Sequence, residues 1–185
     1  MGYPIERKLV VAVSSGAVFD MVEADNIFRT KGNEAYRKYQ LEHLDNPFAK
    51  GVAFPFIKRL LGLNALYPKE LPIEVIVLSR NDPDSGRRFF RSCQHYKLAI
   101  TRGAFLTGKP LFSYIPAFNA CLFLSANRDD VRDAISAGLP AGLILPTKVH
   151  DEDDDNELRV AFDFDGVLAD DEAEIVYHDD WDPLN

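Results

Sequence analysis

Two aspartates, Asp163 and Asp165, follow an apolar run near the end of the 185-residue sequence. Because side chains two residues apart on an extended strand point to the same side, the two carboxylates are expected to face one point. Their mutual repulsion would raise the pKa of one carboxyl unless a cation lies between them. With Mg²⁺ bound, Asp163 can act as a nucleophile toward phosphorus, and Asp165 can exchange a proton with the leaving oxygen and with water. The other interpretation is an Asx-type turn that ends a strand, as Asp-Gly often does.

Polar side chains also follow the other predicted strands. Hydroxyls and arginines can hold phosphate oxygens, and paired carboxylates can hold a hard cation such as Mg²⁺. The transfer of a phosphoryl group needs both functions, because the group must be positioned and its charge neutralised. The strand-end residues that offer these groups are Ser14, Ser15, Ser79, Arg80, Arg102, Asp129 and Asp130.

Apolar strands and helical stretches alternate along the chain. The predicted strands are 8–16, 74–79, 97–103, 121–130, 141–146 and 158–166. The predicted helices are 17–44 with a break at Gly32, 56–66, 86–96 and 131–140, while Pro116 discourages a long helix around it. This alternation predicts an α/β fold, a doubly wound, mainly parallel sheet with helices on both faces of a Rossmann-like core. Ligands of such sheets gather outside the carboxyl ends of the strands.

The length of the chain favours one domain over residues 1–185. Its 46% hydrophobic and 27% charged residues are ordinary for a globular protein. Residues 17–72 form a helical segment that either caps the site or packs on the sheet. Residues 150–157 are predicted to be a solvated acidic loop.

Charge and composition exclude several classes of partner. The formal net charge of −8 argues against binding a nucleic-acid polymer, which needs a basic face. The sequence has no run near the roughly 18 apolar residues of a membrane span. Cys93 and Cys121 lie far apart and in no motif, which predicts a reducing compartment and a cytoplasmic protein. The sequence does not decide whether the protein forms a homo-oligomer.

Three stretches resemble the motifs of the haloacid dehalogenase-like (HAD-like) phosphohydrolases. "FDFDGVLADDEAE" looks like the first motif, "EVIVLSR" like the second, and "LFLSANRDD" like the acidic fourth. The motif order is then a permuted one, because the first motif comes last in this chain. Together with "VAVSSGAVFD", "AYRKYQLEHLDNP" and "HYKLAITRGAF", these stretches resemble the cytosolic 5′-nucleotidase family of the AMP-preferring type and its bacterial relatives.

This resemblance implies Mg²⁺-dependent hydrolysis of a nucleoside 5′-monophosphate to nucleoside and phosphate. It makes Asp163 the nucleophile that becomes an aspartyl-phosphate, and Asp165 the general acid/base and a metal ligand. It implies that Ser79 binds the phosphoryl group and that Asp129 or Asp130 completes the metal site. Arg80 and Arg102 are candidates for anion binding, and Ser14 and Ser15 for the nucleotide pocket; the alternatives are surface arginines and a simple turn.

The chain departs from the resemblance at three places. Relatives tend to carry an arginine where this chain has Gly16, and a lysine where it has Pro116. Lys109 is a candidate replacement for the lysine, with Lys97 as the other choice. The sequence also ends soon after the aspartate pair. Two alternatives to a 5′-nucleotidase therefore stay open: a phosphatase for another small phosphate ester, and a nucleotide-binding relative without turnover.

Overall fold

The computed structural model describes residues 5–147 and 155–163. Its sheet contains five parallel strands in the order β5-β4-β1-β6-β7, and a separate antiparallel pair joins β2 to β3. In chain order the elements are β1 (Leu9–Ser14), α1 (Ser15–Val18), β2 (Phe19–Asp20), α2 (Val22–Glu42), β3 (Ala49–Lys50), α3 (Phe54–Gly62), β4 (Ile73–Ser79), α4 (Pro83–His95), β5 (Gly103–Phe105), β6 (Ala120–Ser125), α5 (Arg128–Ser136) and β7 (Ala141–Leu143). Short 3₁₀ helices cover Ile5–Arg7, Leu63–Leu66, Phe112–Tyr114 and Pro116–Phe118.

The central strands β1 and β4 are buried on both faces. Alternate residues enter two separate apolar clusters: Val11 and Val75 belong to the one that contains Ile57 of α3 and Phe89 of α4. Their neighbours Val10 and Ile76 belong to the other, with Leu111, Ile115 and Ala134 of α5. Strands covered on both faces read as continuous apolar runs, as these do. The predicted doubly wound α/β fold is confirmed.

The helices begin and end where the sequence supplies capping groups. The Asp82 carboxylate accepts a hydrogen bond from Ser85 N–H at 3.0 Å at the start of α4, and Pro83 occupies the first turn. α4 therefore starts at Pro83, three residues before the predicted start at Gly86. The predicted break in α2 is present: Gly32 has a φ of 79°, a left-handed value that glycine adopts without strain.

The prediction of a third strand at 97–103 is wrong in its position. Lys97 has a φ of 57° and takes part in a turn, and the strand that pairs with β4 is Gly103–Phe105. Gly103 allows this close pairing, because a Cβ atom there would lie 2.3 Å from Val77 O. Arg102 therefore precedes its strand instead of following it.

The sixth predicted strand, 158–166, is not formed in its described part, since residues 155–163 are irregular. The place beside β4 and β6 at the centre of the sheet is occupied by β1. Leu158 packs against the core cluster, and Arg59 of α3 donates to Asp155 O at 3.0 Å. Of the predicted acidic loop, only residues 155–157 are described.

The segment 17–72 packs on the sheet and also reaches over its carboxyl edge. Helix α3 covers one face of the sheet, and α2 packs against α4. The buried Arg88 of α4 lies over the ring of Phe48 and donates to Asn46 O at 2.9 Å, which fixes the loop between α2 and β3. Among the described residues, no helix is both long and apolar enough to cross a membrane.

Candidate functional site

A pocket of about 670 Å³ opens at the carboxyl ends of β1, β4 and β6. It lies where a doubly wound sheet is expected to bind its ligand. Four of its lining residues, Ser14, Ser15, Ser79 and Arg80, are strand-end candidates from the sequence, and Asp130 is a fifth. Five of the predicted site residues are thus brought together.

Serine hydroxyls form the floor of this pocket. Ser15 Oγ lies 2.9 Å from Ser79 Oγ, and both side chains are buried. The Asn81 N–H donates to Ser79 Oγ at 3.1 Å, and the Ala126 N–H donates to Ser14 Oγ at 3.3 Å. The strand-end turns therefore fix the hydroxyl oxygens in place.

An ion pair closes one side of the pocket. Arg80 Nε donates to Asp130 Oδ1 at 2.5 Å, and Asp133 Oδ2 lies 3.6 Å from Arg80 Nη2. Asn127, the N-cap of α5, accepts from Asp130 N–H at 3.4 Å and so positions the carboxylate. Burial raises the pKa of the Asp130 carboxyl, and its hydrogen bond to Arg80 opposes that rise.

The pocket rim contains charged residues that sequence reasoning missed. These residues are Asp20, Asp25 and Lys50. The pairing of Asp20 with Ala49 brings β2 to β3, and a pair of two-residue strands leaves no periodic signal in a sequence. Asn127 gave a usable signal, because an asparagine before two aspartates is typical of a helix N-terminus.

Three candidates do not line this pocket. Arg102 binds Glu74 through two hydrogen bonds, at 2.6 and 2.8 Å, beside the start of β4 and β5. Lys109 is exposed in the turn that follows β5, and Asp129 is exposed and paired with Arg132 at 3.0 Å. The structure brings Asp130, and not its neighbour Asp129, to the pocket.

Asp163 is exposed on the irregular segment 155–163 and is not among the residues that line the pocket. Asp165 lies outside the described residues. Within the described ranges, no three His, Cys, Asp or Glu side chains lie close enough to hold a metal ion. The Asp130 carboxylate is held by Arg80, and its role as a metal ligand stays a prediction.

Comparison with known proteins places the chain in a family. The model of the 5′-nucleotidase family matches residues 1–182. The chain is 34% identical over 174 residues to human cytosolic 5′-nucleotidase 1B, an alignment that covers 91% of this chain and 28% of that protein. The chain thus spans under a third of the length of that relative. No solved structure matches the chain. The chain belongs to the 5′-nucleotidase family.

Proposed function

We propose that the protein is a Mg²⁺-dependent cytoplasmic enzyme that hydrolyses a nucleoside 5′-monophosphate to nucleoside and phosphate. The observation that carries this proposal is the family match over residues 1–182, which includes both Asp163 and Asp165. The name of the human relative supports the nucleotide substrate and the cytosolic location.

Asp163 is proposed as the nucleophile. Its exposure makes it accessible to a phosphate ester from solvent. A carboxylate oxygen of Asp163 would form a bond to phosphorus while the bond from phosphorus to the nucleoside oxygen breaks, which gives an aspartyl-phosphate. Water would then attack the phosphorus of this intermediate, release phosphate and restore the Asp163 carboxylate.

Asp165 is proposed as the general acid/base. Its carboxyl would give a proton to the departing nucleoside oxygen and later take one from the attacking water, so that the proton balance closes. Two carboxylates two residues apart fit a hard cation, and Asp163 and Asp165 would hold the Mg²⁺. The bound cation would neutralise the charge of the phosphoryl group.

In the proposed reaction, Asp163 and Asp165 are the only side chains that exchange a bond or a proton. Asp130 is bound by Arg80, and Arg102 is bound by Glu74. Ser79 lies in the serine-lined pocket, and Asp163 does not line that pocket.

Phosphate release from a panel of nucleotides and simple phosphate esters, with and without Mg²⁺, tests the proposal. Asp163→Asn should lower the release of phosphate from AMP or IMP by at least about a thousandfold, because the nucleophile is lost. Glu157→Gln is the matched control, since Glu157 is an exposed carboxylate on the same segment. An Asp163→Asn protein as active as the wild type, or a wild type that releases no phosphate from any nucleotide, would contradict the proposal.

A further inference from the structure

The strand at the centre of the sheet ends in hydroxyls instead of carboxylates. β1 pairs with β4 on one side, where Ser14 lies opposite Leu78, and with β6 on the other. Its carboxyl end therefore lies between the serine at the end of β4 and the N-terminus of α5. The residues at this central position are Ser14 and Ser15, and Asp163 is not among the residues that line the pocket there.

The buried serine hydroxyls can donate hydrogen bonds to an anion. Ser15 and Ser79 hold two hydroxyl protons, and their mutual hydrogen bond at 2.9 Å uses one of them. The Ser14 oxygen accepts from the Ala126 N–H, which leaves the Ser14 proton available for donation. Both donors lie on the floor of a cavity, so an oxyanion placed there can receive hydrogen bonds from both.

The rest of the pocket suits the sugar of a nucleotide. Its volume of about 670 Å³ lies within the range of small-molecule sites, roughly 300–1,000 Å³. The carboxylates of Asp20 and Asp25 lie at the rim, where they can accept hydrogen bonds from ribose hydroxyls. Met21 and Val22 add apolar surface beside them.

The same pocket is poorly equipped to cleave a phosphate ester. A serine needs an adjacent base to become a nucleophile. The hydrogen-bond partners of Ser15 and Ser14 are another hydroxyl and a backbone amide. The Asp130 carboxylate is bound by Arg80 at 2.5 Å. The serines and the Asp130–Arg80 pair can therefore hold a phosphate without attacking it.

We propose that this serine-lined pocket is a binding site, separate from Asp163, that holds a nucleoside phosphate by its phosphate group and does not hydrolyse it. The proposal rests on the pocket alone and does not depend on the role of Asp163 in catalysis.

Gly16 provides a test that leaves the fold intact. It lines the pocket, and a Cβ atom built there meets nothing within 4 Å. Gly16→Arg adds a cation beside the hydroxyls and should tighten AMP binding about tenfold, whereas Gly16→Glu should weaken it about tenfold. Titration calorimetry of the full chain in EDTA measures binding under conditions that suppress Mg²⁺-dependent turnover.

Gly62→Arg and Gly62→Glu are the matched controls. Gly62 is also an exposed helical glycine with open space at its Cβ, and it lies outside the pocket. Both Gly62 variants should bind AMP as the wild type does. Adenosine, which has no phosphate, should bind the two Gly16 variants with equal affinity.

Asp163→Asn separates this proposal from the hydrolytic one. The two Gly16 substitutions should shift the dissociation constant of AMP in opposite directions in the Asp163→Asn background, just as they do in the wild type. A wild type that does not bind AMP, Gly16 variants with an unchanged dissociation constant, or a response lost on Asp163→Asn would each overturn the proposal. Loss of phosphate release on Asp163→Asn reports only on catalysis.

Discussion

Arg80 Nε lies 2.5 Å from Asp130 Oδ1, and this contact joins the end of β4 to the first turn of α5 across the pocket. The carboxylate is buried, while the guanidinium is about one-third exposed. The pair therefore neutralises a charge that would otherwise lie unpaired beside the serine hydroxyls. It also links the end of β4 to the helix that follows β6.

Arg80→Ala should lower the free energy of unfolding by about 1–3 kcal/mol, because it leaves the buried Asp130 carboxylate without its charged donor. Urea unfolding measures this change. Arg132→Ala is the control: its ion pair with Asp129 is exposed on both sides and should contribute less than about 1 kcal/mol. Equal effects of the two substitutions would contradict the structural role of Arg80.

Asp130→Asn should reveal the direction in which Asp130 titrates. Burial raises the pKa of its carboxyl, so the folded protein binds this proton more readily than the unfolded chain. The stability due to protonation is present at low pH and is lost as pH rises through the folded pKa. The wild type should therefore gain stability relative to Asp130→Asn as pH falls through the raised pKa toward the ordinary pKa of the unfolded chain. Unfolding curves for both proteins at several pH values measure this difference, and an opposite trend would contradict the prediction.

Arg102→Ala should destabilise the protein by about 3 kcal/mol, because it leaves the buried Glu74 carboxylate without a two-point partner. Arg102→Lys should recover only part of this loss, since an ammonium group cannot form the paired contact. Thermal or urea unfolding measures both effects. Lys109→Ala, an exposed control, should change stability by no more than about 0.5 kcal/mol. An Arg102→Ala protein of wild-type stability would refute this assignment.

The two cysteines should differ in reactivity toward a thiol reagent. Burial raises the pKa of the Cys93 thiol to about 12, and Cys121 is exposed. Because the thiolate is the reactive form, the folded protein should react at Cys121 and resist reaction at Cys93. Mass spectrometry after alkylation locates the modified residue, and unfolding in denaturant should expose both. Modification of Cys93 in the folded protein would contradict its burial.

The sequence predicted the elements that carry their own signal. Apolar β-branched runs that end in polar turns marked β1 and β4, and Gly32 marked the break in α2. The apolar run before Asp163 has the same local pattern, yet its described part is irregular. The spacing of apolar residues can indicate a strand, but it does not identify the strand's partner. In this sheet the central position is occupied by β1.

In the candidate site, too, only the residues with a local sequence signal could be predicted. Ser14, Ser15, Ser79, Arg80 and Asp130 follow strands, so their meeting at one edge follows from a parallel sheet. Arg102 could not be placed, because β5 starts at Gly103, the last residue of the predicted strand. The rim residues Asp20 and Lys50 meet only through the short β2–β3 pairing, which depends on tertiary contacts.

The central position of β1 also bears on how the protein is made. Of the described strands, β1 is the first to leave the ribosome, yet Cys121 of its neighbour β6 donates to Val10 O across 111 residues of sequence. Parallel pairing across such a distance forms slowly, since the intervening loop must close first. Nascent chains that end before residue 125 would present the apolar edge of β1 without β6, and such edges associate readily with other chains. A chaperone would therefore have most effect on this fold before β6 has left the ribosome.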